Sequence, residues 1–342
     1  MKIVIDGMAT LLGQTIAELA QAQFTVRDSL VSIMHGSVAT LKDDEDEQIS
    51  TDKDIAVKHE FLQDLEFSEN DIVFVADNQE HNQLTIAQAV QQGAMVIDCA
   101  GNTVGQVQVP MIVHDINSHE LQGLRPGFVI ATPTAGATML SQIIVALLQN
   151  QAVLQSINVC HFVPAAHFGK SGVELLASQT ARLLNGMPLS KKQGLEQIAF
   201  NLLPQAGAIG EGDFTELETQ IMNETRRVLN DDTFGINASC VQVPVFYAQS
   251  QVIDAHYSGE VDLREIESAL KQRAGISIGV AKKASPVAIH KQDGQDDIVV
   301  SRLRQNQEDK RSLTLWCVSD NLRRGAAGNA VQIADLLIKS YL

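Results

Sequence analysis

The chain has 342 residues, of which 45% are hydrophobic and 19% charged, and its formal net charge is −16. That length is enough for two domains with substantial cores. The acidic balance argues against a nucleic-acid-binding surface, because neutralising phosphates requires clustered Lys and Arg. No apolar run reaches the roughly 18 residues that predict a membrane span, and no signal sequence precedes the first strand, so we predict a cytoplasmic protein without a membrane partner.

The first 148 residues alternate short apolar strands with amphipathic helices. The predicted strands cover residues 2–5, 30–34, 71–75, 94–98 and 127–131, and the predicted helices cover residues 13–22, 82–91 and 136–148. Strands that alternate with helices are typical of an α/β fold with a doubly wound parallel sheet.

The second part of the chain has longer predicted strands, which no longer alternate regularly with helices. Its predicted strands cover residues 153–163, 236–245, 251–258, 276–281, 297–304 and 312–318, and its helices cover residues 170–184, 263–273 and 321–341. This order predicts an α+β domain with a large mixed or antiparallel sheet.

Cysteine, histidine and acidic residues show no short-range chemical motif. The four cysteines, Cys99, Cys160, Cys240 and Cys317, are far apart and lie in apolar strand-like segments, which is typical of reduced core thiols. The nine histidines include no pair at helical spacing with a carboxylate partner, so we predict no metal site. We predict that the acidic run at residues 43–47 is an exposed loop.

A glycine-containing loop joins the first strand to the first helix. Gly7 and Gly13 delimit the segment GMATLLG, which has the position in the chain that a pyrophosphate-binding loop requires. The middle position is Thr10, where such a loop usually has a third glycine that lets the backbone approach the pyrophosphate.

Several segments of the chain together resemble one enzyme family. They are residues 199–204 (AFNLLP), 223–225 (NET), 241–245 (VQVPV) and 318–327 (VSDNLRRGAA). The chain resembles the aspartate-semialdehyde dehydrogenase family over its whole length, and most of all its Usg-type non-catalytic paralogues. The resemblance implies a Rossmann-like domain of residues 1–132 with 321–342, and a dimerisation domain of residues 133–320 that forms a homodimer.

The family's nucleophile and proton carrier are both replaced. Its catalytic turn reads Asn-Pro-Asn-Cys where this chain reads Thr132-Pro133-Thr134-Ala135. A cysteine at a helix N-terminus forms a thiolate readily, and alanine offers no such chemistry. The family's catalytic histidine aligns with Gln249, which cannot exchange a proton near neutral pH.

The family's substrate-binding charges are replaced as well. Its carboxylate-binding arginine aligns with Gln242, and its glutamate and lysine align with Leu217 and Gln220, with Glu218 one place away. The family's phosphate-binding arginine belongs to a segment that aligns with residues 100–104 of this chain, which contain no charged residue. We therefore predict no catalytic residues in this chain.

The nucleotide contacts are reduced in the same way. The resemblance implies residual, weak contacts of NAD(P) with Gly7, Thr10, Leu11, Leu12, Gly13, Ser37 and Asn321. The arginine that meets the 2′-phosphate of NADP is absent near Ser37, and Asp77 replaces a glycine close to the nucleotide. No cofactor is therefore required, although NAD(P) could still bind weakly.

The sequence leaves three hypotheses open. The chain is a non-catalytic dimeric binding or scaffolding paralogue, an oxidoreductase of the same fold acting on another small aldehyde, or a heterodimer partner of an active paralogue. His161 and His167 lie near the family's substrate loop and could form a new site, with Lys170 as an anion ligand, but packed or solvated histidines are commoner.

Overall fold

The computed structural model describes residues 1–24, 30–35, 57–189, 196–279 and 297–341. Two compact units divide the chain: residues 1–133 with 326–342, and residues 134–325. The sequence prediction assigned residues 321–325 to the first domain. They lie in the second unit, where Asn321 Oδ1 accepts a hydrogen bond from the backbone N–H of Ala248 and Arg324 donates to Gln142.

A parallel sheet of six strands forms the first unit. Its strands are β1 (Ile3–Asp6), β2 (Leu30–Met34), β3 (Lys58–Phe61), β4 (Ile72–Val75), β5 (Met95–Asp98) and β6 (Val129–Ala131). Their order is β3-β2-β1-β4-β5-β6, and every pairing is parallel. Helices α1 (Leu11–Gln23), α2 (Asn82–Gln91) and the short α3 (His114–Asn117) connect them. The predicted doubly wound parallel sheet is confirmed.

Buried branched residues explain why these strands form. Every residue of β1 and β4 is buried, as expected of strands that are covered on both faces. β3 was not predicted, because Lys58 and His59 are exposed and the strand lies at the edge of the sheet.

A second sheet of six strands dominates the other unit. It contains β7 (Leu154–Val163), β8 (Gly235–Gln242), β9 (Gln249–Tyr257), β10 (Ile276–Ile278), β11 (Ile298–Gln305) and β12 (Ser312–Ser319) in the order β10-β11-β12-β9-β7-β8. The outermost pairings at both edges are parallel and the three inner ones antiparallel, so the sheet is mixed. The predicted strand at residues 276–281 ends at Ile278, and its last two positions lie outside the described residues.

Within the described residues, the second unit has four α-helices: α4 (Ala135–Leu147), α5 (Gly169–Leu184), α6 (Glu216–Leu229) and α7 (Leu263–Gln272). Apolar residues of α4, α6 and α7 share one core cluster with the inward faces of the strands. The sequence prediction missed α6, although Thr215 and Glu218 form a capping box at its start.

The last helix returns to the first unit. The predicted helix 321–341 consists of a π-helical turn, Arg323–Ala327, followed by α8 (Gly328–Tyr341). Asn329 on α8 accepts a hydrogen bond from His114 N–H and donates one to the Ile112 carbonyl. No helix in the described parts of the chain has the length and apolar character needed to cross a membrane.

Candidate functional site

Ala135 begins helix α4, directly after the buried strand β6 and a three-residue connection. Thr134 caps the helix, because its Oγ1 accepts a hydrogen bond from Ala137 N–H at 3.3 Å. Ala135 therefore lies where the helix dipole would stabilise a negative charge. Its methyl side chain has no group that could carry one.

Gln249 lies beside Ala135 at the start of β9. Its side chain is 1% exposed, and its Nε2 donates to the Ala135 carbonyl at 2.8 Å and to Ser319 Oγ at 3.1 Å. Gly325 also contacts Ala135 closely, because a methyl group on Gly325 would lie 2.5 Å from the Ala135 Cβ. The two positions that the sequence comparison assigns to nucleophile and base are thus adjacent in the fold.

His161 and Gln251 form a buried layer beneath the start of α4. Gln251 Nε2 donates to the Gly136 carbonyl at 3.0 Å and lies 3.3 Å from His161 Nδ1. His161 is 2% exposed, and burial, followed by the neighbouring His167, lowers its pKa to about 3. A histidine with that pKa is neutral at physiological pH and packs as part of the core. His167 is exposed, and its ring packs edge-on against Phe168.

Glu224 on α6 is a buried carboxyl group at the same helix terminus. Its Oε2 accepts a hydrogen bond from Thr134 N–H at 2.7 Å. Burial raises its pKa to about 7, although the contacts with Thr134 and the charge of Arg227 act in the opposite direction. Glu224 therefore titrates near neutral pH.

The two α6 positions expected to bind the substrate carry no charge, and the neighbouring Glu218 makes structural contacts. Leu217 is 4% exposed and packs into the core of the second unit, whereas Gln220 points to solvent. Glu218 accepts hydrogen bonds from Thr215 N–H at 2.7 Å and from Cys240 N–H at 2.8 Å. Its carboxylate thus holds α6 and β8 together.

Gln242 ends strand β8 and lines a cleft. Its backbone exchanges two hydrogen bonds with Leu203. The cleft has a volume of about 600 Å³ and is also lined by Phe168, Glu174 and Glu196. Two carboxylates at its wall make the cleft a poor place for an anionic substrate.

None of the four cysteines resembles a reactive thiol, and all four lie in the described part of the chain. Burial raises the pKa of each one: Cys99, Cys160, Cys240 and Cys317. A raised pKa removes the thiolate that nucleophilic attack requires. Cys240 and Cys317 are buried as predicted for core thiols, whereas Cys99 and Cys160 are half-buried.

Thr10 caps helix α1 within the glycine-containing loop of the first unit. Its Oγ1 accepts a hydrogen bond from Gly13 N–H at 2.9 Å and donates to the Gly7 carbonyl at 2.8 Å. Backbone N–H groups at such a helix start are the ones that bind pyrophosphate in dinucleotide-binding folds. In this chain the N–H of Gly13 already donates a hydrogen bond to the Thr10 hydroxyl, so it is not available to a pyrophosphate.

Gly7 and Gly13 are both required by the local packing. Gly7 has a φ of +90°, and a methyl group on it would lie 2.8 Å from the Asp77 backbone nitrogen. A methyl group on Gly13 would lie 2.2 Å from the Gly7 carbonyl oxygen. Their presence is therefore explained by the strand-to-helix turn, whether or not a nucleotide binds.

Two carboxylates accompany this loop at the carboxyl edge of the sheet. Asp77 follows β4, and Asp98 ends β5. Asp98 accepts hydrogen bonds from the 100–104 stretch, including 2.7 Å contacts with both the N–H and the hydroxyl of Thr103. The stretch 100–104, which the sequence resemblance aligns with a phosphate-binding segment, is thus folded around the carboxylate of Asp98. Ser37 and the acidic run 43–47 lie outside the described residues.

Asn321 has a defined structural partner within the second unit. Its Oδ1 accepts a hydrogen bond from Ala248 N–H at 3.1 Å, and the side chain is 6% exposed. Ala248 has a φ of +66°, a left-handed backbone conformation that favours glycine.

One group of potential metal ligands was not found from the sequence. Asp6, His35 and His81 converge in the first unit, each from a different element. The search for histidine pairs at helical spacing missed them because they are far apart in the chain. The available signal was that each one lies at the end of a strand or the start of a helix.

Comparison with known proteins shows the family to which this fold belongs. The family model described as "Semialdehyde dehydrogenase, NAD binding domain" matches residues 2–124. The model described as "Semialdehyde dehydrogenase, dimerisation domain" matches residues 145–324. The chain belongs to the semialdehyde dehydrogenase family, as the sequence resemblance predicted.

Relatives include proteins named as enzymes and proteins named otherwise. The chain is 32% identical over 255 residues to aspartate-semialdehyde dehydrogenase 2 of Vibrio cholerae, covering 74% of each chain. It is 34% identical over 278 residues to the USG-1 protein homolog of Pseudomonas aeruginosa, covering 81% of this chain and 82% of the relative. The crystal structure of aspartate semialdehyde dehydrogenase II from Vibrio cholerae has a TM-score of 0.85 at 26% identity, covering 100% of this chain and 99% of that one.

Proposed function

We propose that this chain is a non-catalytic, dimeric member of the aspartate-semialdehyde dehydrogenase family that acts as a binding or scaffolding protein. The observation that carries this proposal is the contact between Ala135 and Gln249, the two residues that the sequence resemblance aligns with the family's nucleophile and proton carrier. Gln249 donates to the Ala135 carbonyl at 2.8 Å, so its amide serves as a structural contact. Loss of a nucleophile or its base from a coupled catalytic unit costs on the order of 10⁶ in rate.

The cysteines and histidines nearby do not supply replacements. The pKa of each cysteine is raised by burial, so none offers a thiolate at neutral pH. His161 is the imidazole packed under α4, and its pKa of about 3 makes it a poor proton acceptor. The raised pKa values of the cysteines and the lowered pKa of His161 support the proposal that this chain does not catalyse acyl transfer.

The substrate side supports the same proposal. Gln242 replaces a guanidinium that would form a bidentate ion pair with a carboxylate, Leu217 is buried in the core, and Gln220 faces solvent. Glu218 cannot shift into a substrate role without giving up its contacts with Thr215 and Cys240.

We further propose that NAD(P) is not required by this protein. Thr10 blocks the Gly13 N–H, and Asp77 adds negative charge beside the loop, so the residues present do not fit a tightly bound pyrophosphate. The oxidoreductase hypothesis depended on Gly7, Gly13 and Asn321. Because each of these has a structural reason to be retained, they no longer favour that hypothesis.

The dimer that we propose uses the outer face of the second sheet. Cys160, Val252 and Trp316 lie side by side across β7, β9 and β12, and all three are half-buried. Trp316 also contacts Phe162, with ring centroids 5.6 Å apart. An apolar row on a sheet face is typical of a subunit interface. We propose that two copies of this chain pair as a homodimer in the cytoplasm, and a heterodimer with an active paralogue is the alternative outcome.

A steady-state assay tests the loss of activity. Purified protein is mixed with aspartate semialdehyde, NADP and phosphate, and NADPH formation is followed. We expect a rate indistinguishable from the protein-free control. A rate within about a hundredfold of an ordinary dehydrogenase would refute the proposal, because the expected deficit is on the order of 10⁶.

A further inference from the structure

Three potential metal ligands meet at the carboxyl edge of the first sheet. Asp6 is the last residue of β1, His35 directly follows β2, and His81 immediately precedes α2. β1 and β2 are parallel neighbours, so their carboxyl ends lie together. A ligand atom from each of the three side chains lies within 4.8 Å of the other two.

Asp6 is fully buried, with 0% of its surface exposed. Its Oδ1 lies 2.7 Å from His35 Nε2, whereas Oδ2 is buried without a hydrogen-bond partner. A buried carboxylate oxygen without a partner is costly, because it has lost its hydration without compensation. A cation bound at this carboxylate would remove that cost.

The two imidazoles stand close to each other as well as to Asp6. The ring centroids of His35 and His81 are 3.8 Å apart, with an angle of 37° between the ring planes. Both side chains are partly exposed, which leaves an entry path from solvent. If Asp6 and His35 only formed a hydrogen-bonded pair, the position of His81 beside them would have no explanation.

The donor set identifies the class of ion. Imidazole nitrogen suits zinc, copper, iron and nickel, whereas magnesium and calcium prefer oxygen ligands only. Two histidines with one carboxylate leave further coordination positions for water or a small ligand, as in open zinc sites.

We propose that Asp6, His35 and His81 bind one divalent transition-metal ion, such as Zn²⁺ or Co²⁺. The site supplies one carboxylate oxygen and one nitrogen from each histidine. It lies directly before the Gly7 loop, at the sheet edge where dinucleotide-binding folds place their ligand. The proposal is independent of whether the chain is catalytic.

Cobalt titration tests this directly. Full-length protein without an affinity tag is stripped with a chelator, and Co²⁺ is added while visible absorption is recorded. We expect one Co²⁺ per chain, with ligand-field bands and without the sulfur-to-cobalt charge transfer that thiolate ligands produce. Zn²⁺ should displace the cobalt and abolish the bands.

His81→Asn is the deciding variant. Asparagine is a favourable residue before a helix, so α2 should form normally, and circular dichroism checks this. Loss of a residue that only orients a metal ligand lowers metal affinity by about 10- to 100-fold. Because His81 is proposed to bind the metal itself, the affinity for Co²⁺ should fall by more than that. His35→Asn should have a similar effect. His59→Asn, on the exposed face of the neighbouring strand β3, is the matched control and should bind as the original protein does.

Three results would overturn the proposal. The first is no binding of stoichiometric Co²⁺ by the folded original protein. The second is an unchanged affinity in His81→Asn, which would reduce the cluster to a hydrogen-bonded pair of Asp6 and His35. The third is a sulfur-to-cobalt band, which would assign the ion to a cysteine.

Discussion

Gln249 Nε2 donates a hydrogen bond to the backbone carbonyl of Ala135 at 2.8 Å, across 114 positions of sequence. The amide is held in place by a second contact with Ser319 Oγ at 3.1 Å. Ala135 and Gln249, which the sequence resemblance aligns with a nucleophile and a proton carrier, therefore form a fixed contact between β9 and the start of α4. The function proposed for this chain depends on that relationship.

Restoring the thiol alone should not restore the reaction. In Ala135→Cys the sulfur would lie at the start of α4, where the helix dipole favours a thiolate, so we expect iodoacetamide to modify it. Turnover of aspartate semialdehyde should remain at background, because Gln249 cannot exchange the proton and Gln242 cannot bind the substrate carboxylate. Ala135→Ser is the control for packing. Measurable turnover by Ala135→Cys would show that the site retains more of its machinery than we propose.

Ala248→Gly should stabilise the protein. Ala248 has a φ of +66°, and glycine adopts this backbone conformation without a steric penalty. We expect a gain of up to about 1 kcal/mol in the free energy of unfolding, measured by urea denaturation. Ala181→Gly, on the exposed face of α5, should lose about 1 kcal/mol, because there the backbone is helical. A loss in both variants would contradict the assignment of strain to Ala248.

Opening the glycine-containing loop should improve nucleotide binding. Thr10→Gly frees the Gly13 N–H, and Asp77→Gly removes a charge that repels phosphate. We expect calorimetry to detect NADP binding in the double variant and to detect little or none in the original protein. Thr10→Ser keeps the capping hydroxyl and should behave like the original. Tight NADP binding by the unmodified chain would show that Thr10 does not block the loop.

Glu224 should make stability depend on pH. Its pKa in the folded protein is raised by burial from 4.5 to about 7, so the folded state holds the proton more tightly than the unfolded state does. The resulting stabilisation is fully present below pH 4.5 and is lost as the pH rises through 7. The difference is at most about 3 kcal/mol.

Glu224→Gln should remove this part of the pH dependence. Urea denaturation of both proteins between about pH 4 and pH 8 measures it, since the contribution of Glu224 is the difference between the two curves. Glu216→Gln changes an exposed carboxylate in the first turn of the same helix and should leave the curve unchanged. Parallel curves for the original protein and Glu224→Gln would rule out the raised pKa.

Trp316→Glu should separate the proposed dimer. The substitution places a charge in the middle of the apolar row on the outer sheet face, where burial in an interface would leave it unpaired. Size-exclusion chromatography with light scattering should show a monomer. Val107→Glu, which changes an apolar residue that is 90% exposed in the first unit, should remain dimeric. A dimer that survives Trp316→Glu would place the interface elsewhere.

Much of the fold could be predicted from local pattern. The bounds of β2 (Leu30–Met34) and α2 (Asn82–Gln91) agree with the prediction to the residue, because buried strands and amphipathic helices leave clear periodicities. Strand β3 was not predicted because it is an edge strand with exposed residues, and it therefore lacks the apolar pattern of a buried strand. The strained conformation of Ala248 could not be found either, since nothing in the sequence alone marks a left-handed alanine.

The contacts of the site were beyond prediction from the sequence. Family resemblance named Ala135 and Gln249 separately, but their hydrogen bond depends on how β9 lies against α4. Glu218 could have been recognised as the glutamate of a capping box, three positions after Thr215, and therefore as a structural residue. Asp6, His35 and His81 come together only because two strands end and one helix begins at the same edge of the sheet.

A single-turnover experiment tests the central claim most directly, because it separates loss of the nucleophile from loss of the phosphate site. Protein at high concentration is mixed rapidly with NADP and aspartate semialdehyde, without phosphate, and NADPH is recorded. An intact nucleophile would give a burst of NADPH equal to the protein concentration, even if the acyl group were never released. We predict no burst above the protein-free control. A stoichiometric burst would contradict the account.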